Sequence, residues 1–123
     1  MVTIALAFDA EDSRQIAEQA LPDIFCFHAG TTKGGLKGYD SGETIEVTAE
    51  RTEAVNEIVR EIYPECILVA HGAAMETPEN AQYMLDNTTC HGIWTGSSTE
   101  RIPIERAVFD MASQFAALRR SES

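Results

Sequence analysis

Four short and nearly unbroken apolar runs, each followed by a stretch whose apolar residues return every three or four positions, constrain this chain more than any other feature. The runs are Val2–Phe8, Asp23–His28 (DIFCFH), Cys66–Ala70 (CILVA) and Gly92–Thr95 (GIWT). Strands that alternate with helices pair in parallel, because only a long crossover returns the chain to start the next strand in the same direction. Runs without polar alternation are those of a sheet buried on both faces, so helices are expected on each side.

The helical segments carry their own punctuation. Asp9, Glu11 and Asp12 suit the start of a helix dipole, and Ser13, Ile16, Ala17, Ala20 and Leu21 recur at helical spacing before Pro22. A second helix begins between Thr44 and Thr48 and carries Val55, Ile58, Val59 and Ile62 up to Pro64. Thr77-Pro78 opens a third, with a capping hydroxyl and a proline at the first helical position, and Ala81, Met84 and Leu85 form its core face. Pro103 starts the last, whose Ile104, Val108, Met111, Phe115 and Leu118 form a stripe expected to face the core.

The expected fold class is therefore α/β: four βα units with parallel strands in one domain over residues 1–119, followed by a polar tail at 120–123. With right-handed crossovers two architectures fit, an open doubly wound sheet or half of a (β/α)8 barrel. The 123 residues are about half of the roughly 250 that a closed barrel uses.

Charge narrows the partners. A formal net charge of −11, with 9 Lys and Arg against 20 Asp and Glu, lacks the basic footprint that nucleic acid or an anionic membrane surface requires. No run approaches the roughly 20 apolar residues of a membrane span, and MVTIALAFDAED has neither the basic start nor the long apolar core of a targeting peptide. Cys26, Cys66 and Cys90 are odd in number, show no CxxC spacing and lie in or beside apolar runs, which fits a reducing, cytoplasmic setting.

In both architectures ligands bind at the C-terminal ends of the strands. Asp9 follows the first strand, His28 ends the second, His71 follows the third, and Gly96, Ser97, Ser98, Glu100 and Arg101 follow the fourth. An acid and two imidazoles on one rim can transfer protons or hold a metal through N and O ligands. Equally, Asp9 can cap its helix and the histidines can be satisfied core residues. His91 starts the fourth strand, on the opposite face, where no chemistry is expected. The segment TGSSTER joins strand to helix with glycine, hydroxyls and a guanidinium, which suits a phosphate or carboxylate, or else simply caps the helix. In a barrel's last four units, Gly72 and Ala73 would follow strand seven and Gly96 to Ser98 strand eight, where such barrels often bind phosphate.

Between the second strand and its helix runs a loop, AGTTKGGLKGYDSGE, with five glycines between Gly30 and Gly42. It lacks the GxxxxGK[ST] and GxGxxG patterns of phosphate loops. A lid that brings Thr32 and Lys33 to a ligand and a plain flexible insertion both account for it.

The stretches FHAGTTKGGLKG, HGAAMETPENAQYMLDNTTCHG and TGSSTERIPIE resemble the phosphoenolpyruvate hydrolase-like family of TIM-barrel proteins over nearly the whole chain. The resemblance implies the C-terminal half of a barrel in the phosphoenolpyruvate- and pyruvate-binding superfamily, which acts on small α-keto acids with Mg2+. By matched motif it places rim residues at His28, Gly34, Gly35, His71, Gly72, Gly96, Ser97, Ser98, Glu100 and Arg101, with Ala73 standing where a second glycine is usual. The first barrel half, which in the wider superfamily supplies most acidic metal ligands, is not represented.

These observations lead to two expectations of different kinds. One is a hydrolase or lyase for a small phosphorylated or phosphonate keto acid, with His28, His71, Glu100 and Arg101 as catalytic candidates. Gly34, Gly35, Gly72, Ala73, Gly96, Ser97 and Ser98 would bind the anion, and Asp9 would be the candidate ligand for Mg2+. The other is a non-catalytic module that senses a small anion or completes its sheet with a partner chain. Unpaired parallel edges invite association, so a homo-oligomer, a dimer or a multiple of one, is expected in either case.

Overall fold

The computed structural model describes residues 1–36 and 41–119, so part of the glycine-rich loop and the tail at 120–123 lie outside the described residues. The element order is β1 (Ile4–Ala7), α1 (Ala10–Gln19), β2 (Ile24–His28), α2 (Ile45–Ile62), β3 (Ile67–His71), α3 (Pro78–Asn87), β4 (Gly92–Ile93) and α4 (Arg101–Ala116). All strand pairs are parallel and the sheet order is β1-β2-β3-β4. A doubly wound sheet reverses its strand order at a switch point, whereas this sheet adds each strand beside the last in one direction. The architecture is thus that of half a βα barrel.

One-directional winding with right-handed crossovers puts successive helices on one side of the sheet. Ala7, Phe25, Phe27 and Leu68 pack there against Ala17 of α1 and Val55 and Val59 of α2. Ala70 joins Ala49 of α2 and Met84 of α3 in a second cluster. The opposite face is not covered as the apolar runs led one to expect: Ile4 is 55% exposed and Ile67 46%. In a closed barrel this face is the packed interior. Register stacks its side chains in rows, Ile4, Ile24 and Ile67 in one and Leu6, Cys26, Val69 and Gly92 in the next.

Local signals explain the helix starts. Asp9 accepts from the Asp12 amide at 2.8 Å, and Thr44 accepts from the Val47 amide at 3.4 Å. Thr77 and Asn80 cap reciprocally in front of Pro78. The fourth unit departs from expectation at both ends. Its strand is two residues long because the chain turns at Thr95 and Gly96, and α4 begins at Arg101 with Pro103 inside its first turn, where a missing N–H costs nothing. The stripe of α4 is also not in the core, since Ile102 is its one buried residue while Ile104, Val108 and Phe115 are more than half exposed.

Candidate functional site

Alternation along the strands brings one more row to the C-terminal edge of the uncovered face, and this row is aromatic. Phe8 lies 5.0 Å from the His28 ring, His28 4.8 Å from His71 in an edge-on arrangement, and His71 5.7 Å from Trp94. His28 and His71 are register partners on adjacent strands, which is why two imidazoles separated by more than forty residues meet.

The two rings differ in what they can do. Nδ1 of His71 lies 2.7 Å from the Trp94 carbonyl oxygen. A carbonyl only accepts, so Nδ1 carries a proton, and in the neutral ring it is then Nε2 that holds the lone pair and can accept one. Nδ1 of His28 is buried without a partner among the described residues. Burial, and secondarily the neighbouring His71, holds the His28 pKa below its ordinary value, so that ring is neutral at neutral pH.

Beyond the strands, the loops after β2 and β3 continue to pair. The amide of Ala29 donates to His71 at 3.1 Å, that of Ala73 to Gly30 at 2.7 Å, and that of Lys33 to Ala73 at 3.1 Å. So close an approach requires glycine at position 72, whose φ is +88° and where a methyl group would overlap the Gly30 carbonyl oxygen. Ala73 also has a left-handed backbone, with φ at +47°. Because the amide of Ala73 is bonded to Gly30, it is not an anion donor here.

The segment after β4 forms the tight entry to α4. The amides of Thr99 and Glu100 both donate to the Gly96 carbonyl at 3.0 Å, and those of Arg101 and Ile102 donate to Ser97 at 3.1 and 2.9 Å. The hydroxyls of Ser97 and Ser98 make no hydrogen bond among the described residues. Between this segment and the loop after β3 lies a cavity of about 200 Å³, mostly apolar in its walls. His71, Gly72, Gly96 and Ser98 line it together with Thr32 and Glu76.

The remaining candidates stand elsewhere. Arg101 donates to the Gly34 carbonyl at 3.0 Å, the Thr32 carbonyl at 3.3 Å and the Glu105 carboxylate at 3.1 Å. Glu105 in turn accepts from the Leu36 amide at 2.7 Å. The guanidinium therefore ties the glycine-rich loop to α4. A methyl group at Gly35 would overlap the Glu105 carboxylate and one at Gly34 the Glu76 carboxylate, so both glycines serve this close packing. Lys33 turns toward Glu43 and Glu76 rather than toward the cavity. Glu100 is exposed, and Asp9 spends one carboxylate oxygen on the α1 cap.

Among the described residues no three His, Cys, Asp or Glu side chains gather where they would hold a metal ion. Mg2+ keeps several waters and is commonly held through one or two carboxylates with substrate oxygens, so on this rim Asp9, which spends one carboxylate oxygen on the α1 cap, would hold it together with substrate. His91 is structural, its Nδ1 accepting from the Leu68 amide at 3.0 Å.

Comparison with known proteins agrees with this geometry. The phosphoenolpyruvate hydrolase-like family matches residues 1–118. The chain belongs to that family. It is also 32% identical over 119 residues to the ToMV resistance protein Tm-1(GCR237) of Solanum lycopersicum, and 31% identical to the ToMV susceptible protein tm-1(GCR26) of the same plant. Each alignment covers 96% of this chain but 16% of the longer relative. No helix among the described residues is long and apolar enough to cross a membrane.

The position after Gly72, where the resemblance led one to expect a second glycine, has a left-handed backbone, and Ala73 adopts it at a steric cost. Sequence reasoning missed Trp94, whose carbonyl sets the His71 tautomer, and Glu76 and Glu105, which hold the glycine-rich loop. Glu105 was legible as the i+4 partner of Arg101. A backbone carbonyl acting from Trp94 leaves no signal in residue type.

Proposed function

We propose that the chain binds a small phosphorylated or phosphonate keto acid in the cavity between the loops after β3 and β4, as part of a hydrolase- or lyase-type site. The observation that carries this reading is the convergence of His71, Gly72, Gly96 and Ser98 on one cavity at the C-terminal edge of a parallel sheet. Ser98, which lines the cavity, supplies a hydroxyl that makes no hydrogen bond among the described residues, and Nε2 of His71 accepts a proton from the substrate or from an attacking water. His28, neutral and edge-on to His71, keeps a second positive charge away from that base. Arg101 acts as a positioning residue through the Gly34 and Thr32 carbonyls. Mg2+ would enter only with substrate and with whatever completes the barrel. Three free, buried thiols agree with a cytoplasmic setting.

A second reading is binding without turnover. It is favoured by relatives whose names describe virus resistance and susceptibility rather than catalysis. Calorimetric titration with phosphoenolpyruvate and phosphonopyruvate, combined with an assay for released phosphate, separates the two. Turnover that collapses in His71→Asn supports the enzyme, and saturable binding with no product supports the module. Absence of binding to either ligand defeats both.

A further inference from the structure

We infer that the ligand of the cavity between the loops after β3 and β4 carries a branched or aromatic apolar side chain beside its acid group, and that Met75, Ala81 and Ile93 select it. The inference rests on the reading of this cavity as a keto-acid site and narrows its substrate class. Polar atoms reach the cavity from His71 and Ser98, but Met75, Pro78, Ala81 and Ile93 bring apolar side chains to the same walls. Pro78 and Ala81 lie three residues apart in α3 and so share a helix face. Met75 belongs to the core cluster that holds Ala70 and Met84, and Ile93 packs against it. The cavity therefore does not stop at the polar rim. It reaches down between β4 and α3 to the apolar layer beneath.

Charge points the same way. Among the described residues no Lys or Arg lines this cavity, and the one carboxylate in its wall, Glu76, offers an anion no attraction. A small acid without a side chain would hold to a hydroxyl and an imidazole and leave the apolar walls against water, where they contribute nothing to affinity. Pockets of this build draw affinity from their apolar surface and orientation from a few polar groups. An apolar cavity of about 150 Å³ accepts a benzene ring. This one is about 200 Å³, so an isopropyl or phenyl group fits against Met75, Ala81 and Ile93 while the acid group meets Ser98 and His71.

The test is calorimetric titration of the chain with phosphoenolpyruvate and with its methyl, isopropyl and phenyl derivatives at the terminal carbon, which share one acid head and differ only in side chain. Each buried carbon is expected to tighten binding about fourfold, so the isopropyl derivative should exceed the parent roughly 50-fold. Ala81→Leu fills the apolar space from a partly buried helix position that leucine suits, and it should erase most of that ratio with an unchanged circular dichroism spectrum. Ser98→Ala should instead weaken every member by a similar factor. A series that is flat, or that falls with size, overturns the inference and leaves the keto-acid reading in place. So does a gain that survives in folded Ala81→Leu, because the side chain would then be bound elsewhere. Should that variant fail to fold, the series on the parent chain decides by itself. Failure of every member to bind ends both readings together.

Discussion

Gly72→Ala and Gly96→Ala look like the same perturbation, a methyl group added at a glycine lining the same cavity, and the structure separates them sharply. At Gly72 the backbone lies at φ +88°, and the new methyl would overlap the Gly30 carbonyl oxygen. A left-handed non-glycine residue costs about 1–2 kcal/mol. Displacing Gly30 also breaks its bond from the Ala73 amide, worth about 1 kcal/mol more. The sum is roughly 2–3 kcal/mol, a large fraction of the 5–15 kcal/mol typical of a domain. At Gly96 the added methyl meets Cε1 of His71 at 3.6 Å, an ordinary contact, and the backbone is not in the left-handed region. That variant is expected to lie within about 0.5 kcal/mol of the parent. Urea denaturation reads both, the midpoint falling for Gly72→Ala and staying in place for Gly96→Ala. Equal costs at the two positions, or a neutral Gly72→Ala, would refute the claim that the loops after β2 and β3 lock through a glycine-only approach.

Other expectations follow from the same coordinates. Because the native His28 pKa lies below its ordinary value, the folded state binds fewer protons than the unfolded chain just below that value. Stability is then full above about pH 6.5 and falls as pH drops through the window beneath it. His28→Gln should flatten that part of the urea midpoint against pH, and an unchanged profile would remove His28 as its source. Burial pushes the Cys26 thiol up to about 12, with Cys90 adding to the effect, and Cys66 and Cys90 are raised as well. A thiol reagent at neutral pH should therefore label none of the three in native protein and all three in urea, and rapid native labelling would contradict their burial. Arg101→Lys should loosen the glycine-rich loop nearly as much as Arg101→Ala, because one ammonium cannot span two carbonyls and a carboxylate. Partial exposure keeps the cost near 1–2 kcal/mol. Proteolysis after Lys33 is the readout, and full protection in Arg101→Lys would show that charge alone suffices.

Local chemistry was well written in the residues. Thr77-Pro78 announced α3, Asp9 its own capping role, and the apolar runs all four strands to within about two residues. The rim histidines were also legible, because position along a strand fixes its end and the end fixes the rim. What tertiary order alone decides was not legible. Strand runs carry no mark of which neighbour they choose, so the pattern alone left barrel half and doubly wound sheet equal; the family resemblance pointed to the barrel half, and the strand order agrees with it. The stripe of α4 reads as a core face but does not say that nothing among the described residues covers it. Arg101 read as an anion ligand because TGSSTER has the right chemistry for one, yet its partners Thr32 and Gly34 lie almost 70 residues earlier in the chain, which spacing cannot reveal.

The pairing of the loops after β2 and β3 also bears on how such a chain can vary. From Ala29 to Lys33 and from His71 to Ala73 the two segments are laced rung by rung, so adding or deleting a residue on one side throws every rung out of step. The Arg101–Glu105 tie adds its own fixed points at Thr32, Gly34 and Leu36, so the count of residues is held from the imidazoles through to Leu36. Relatives should therefore keep the same spacing beneath the cavity.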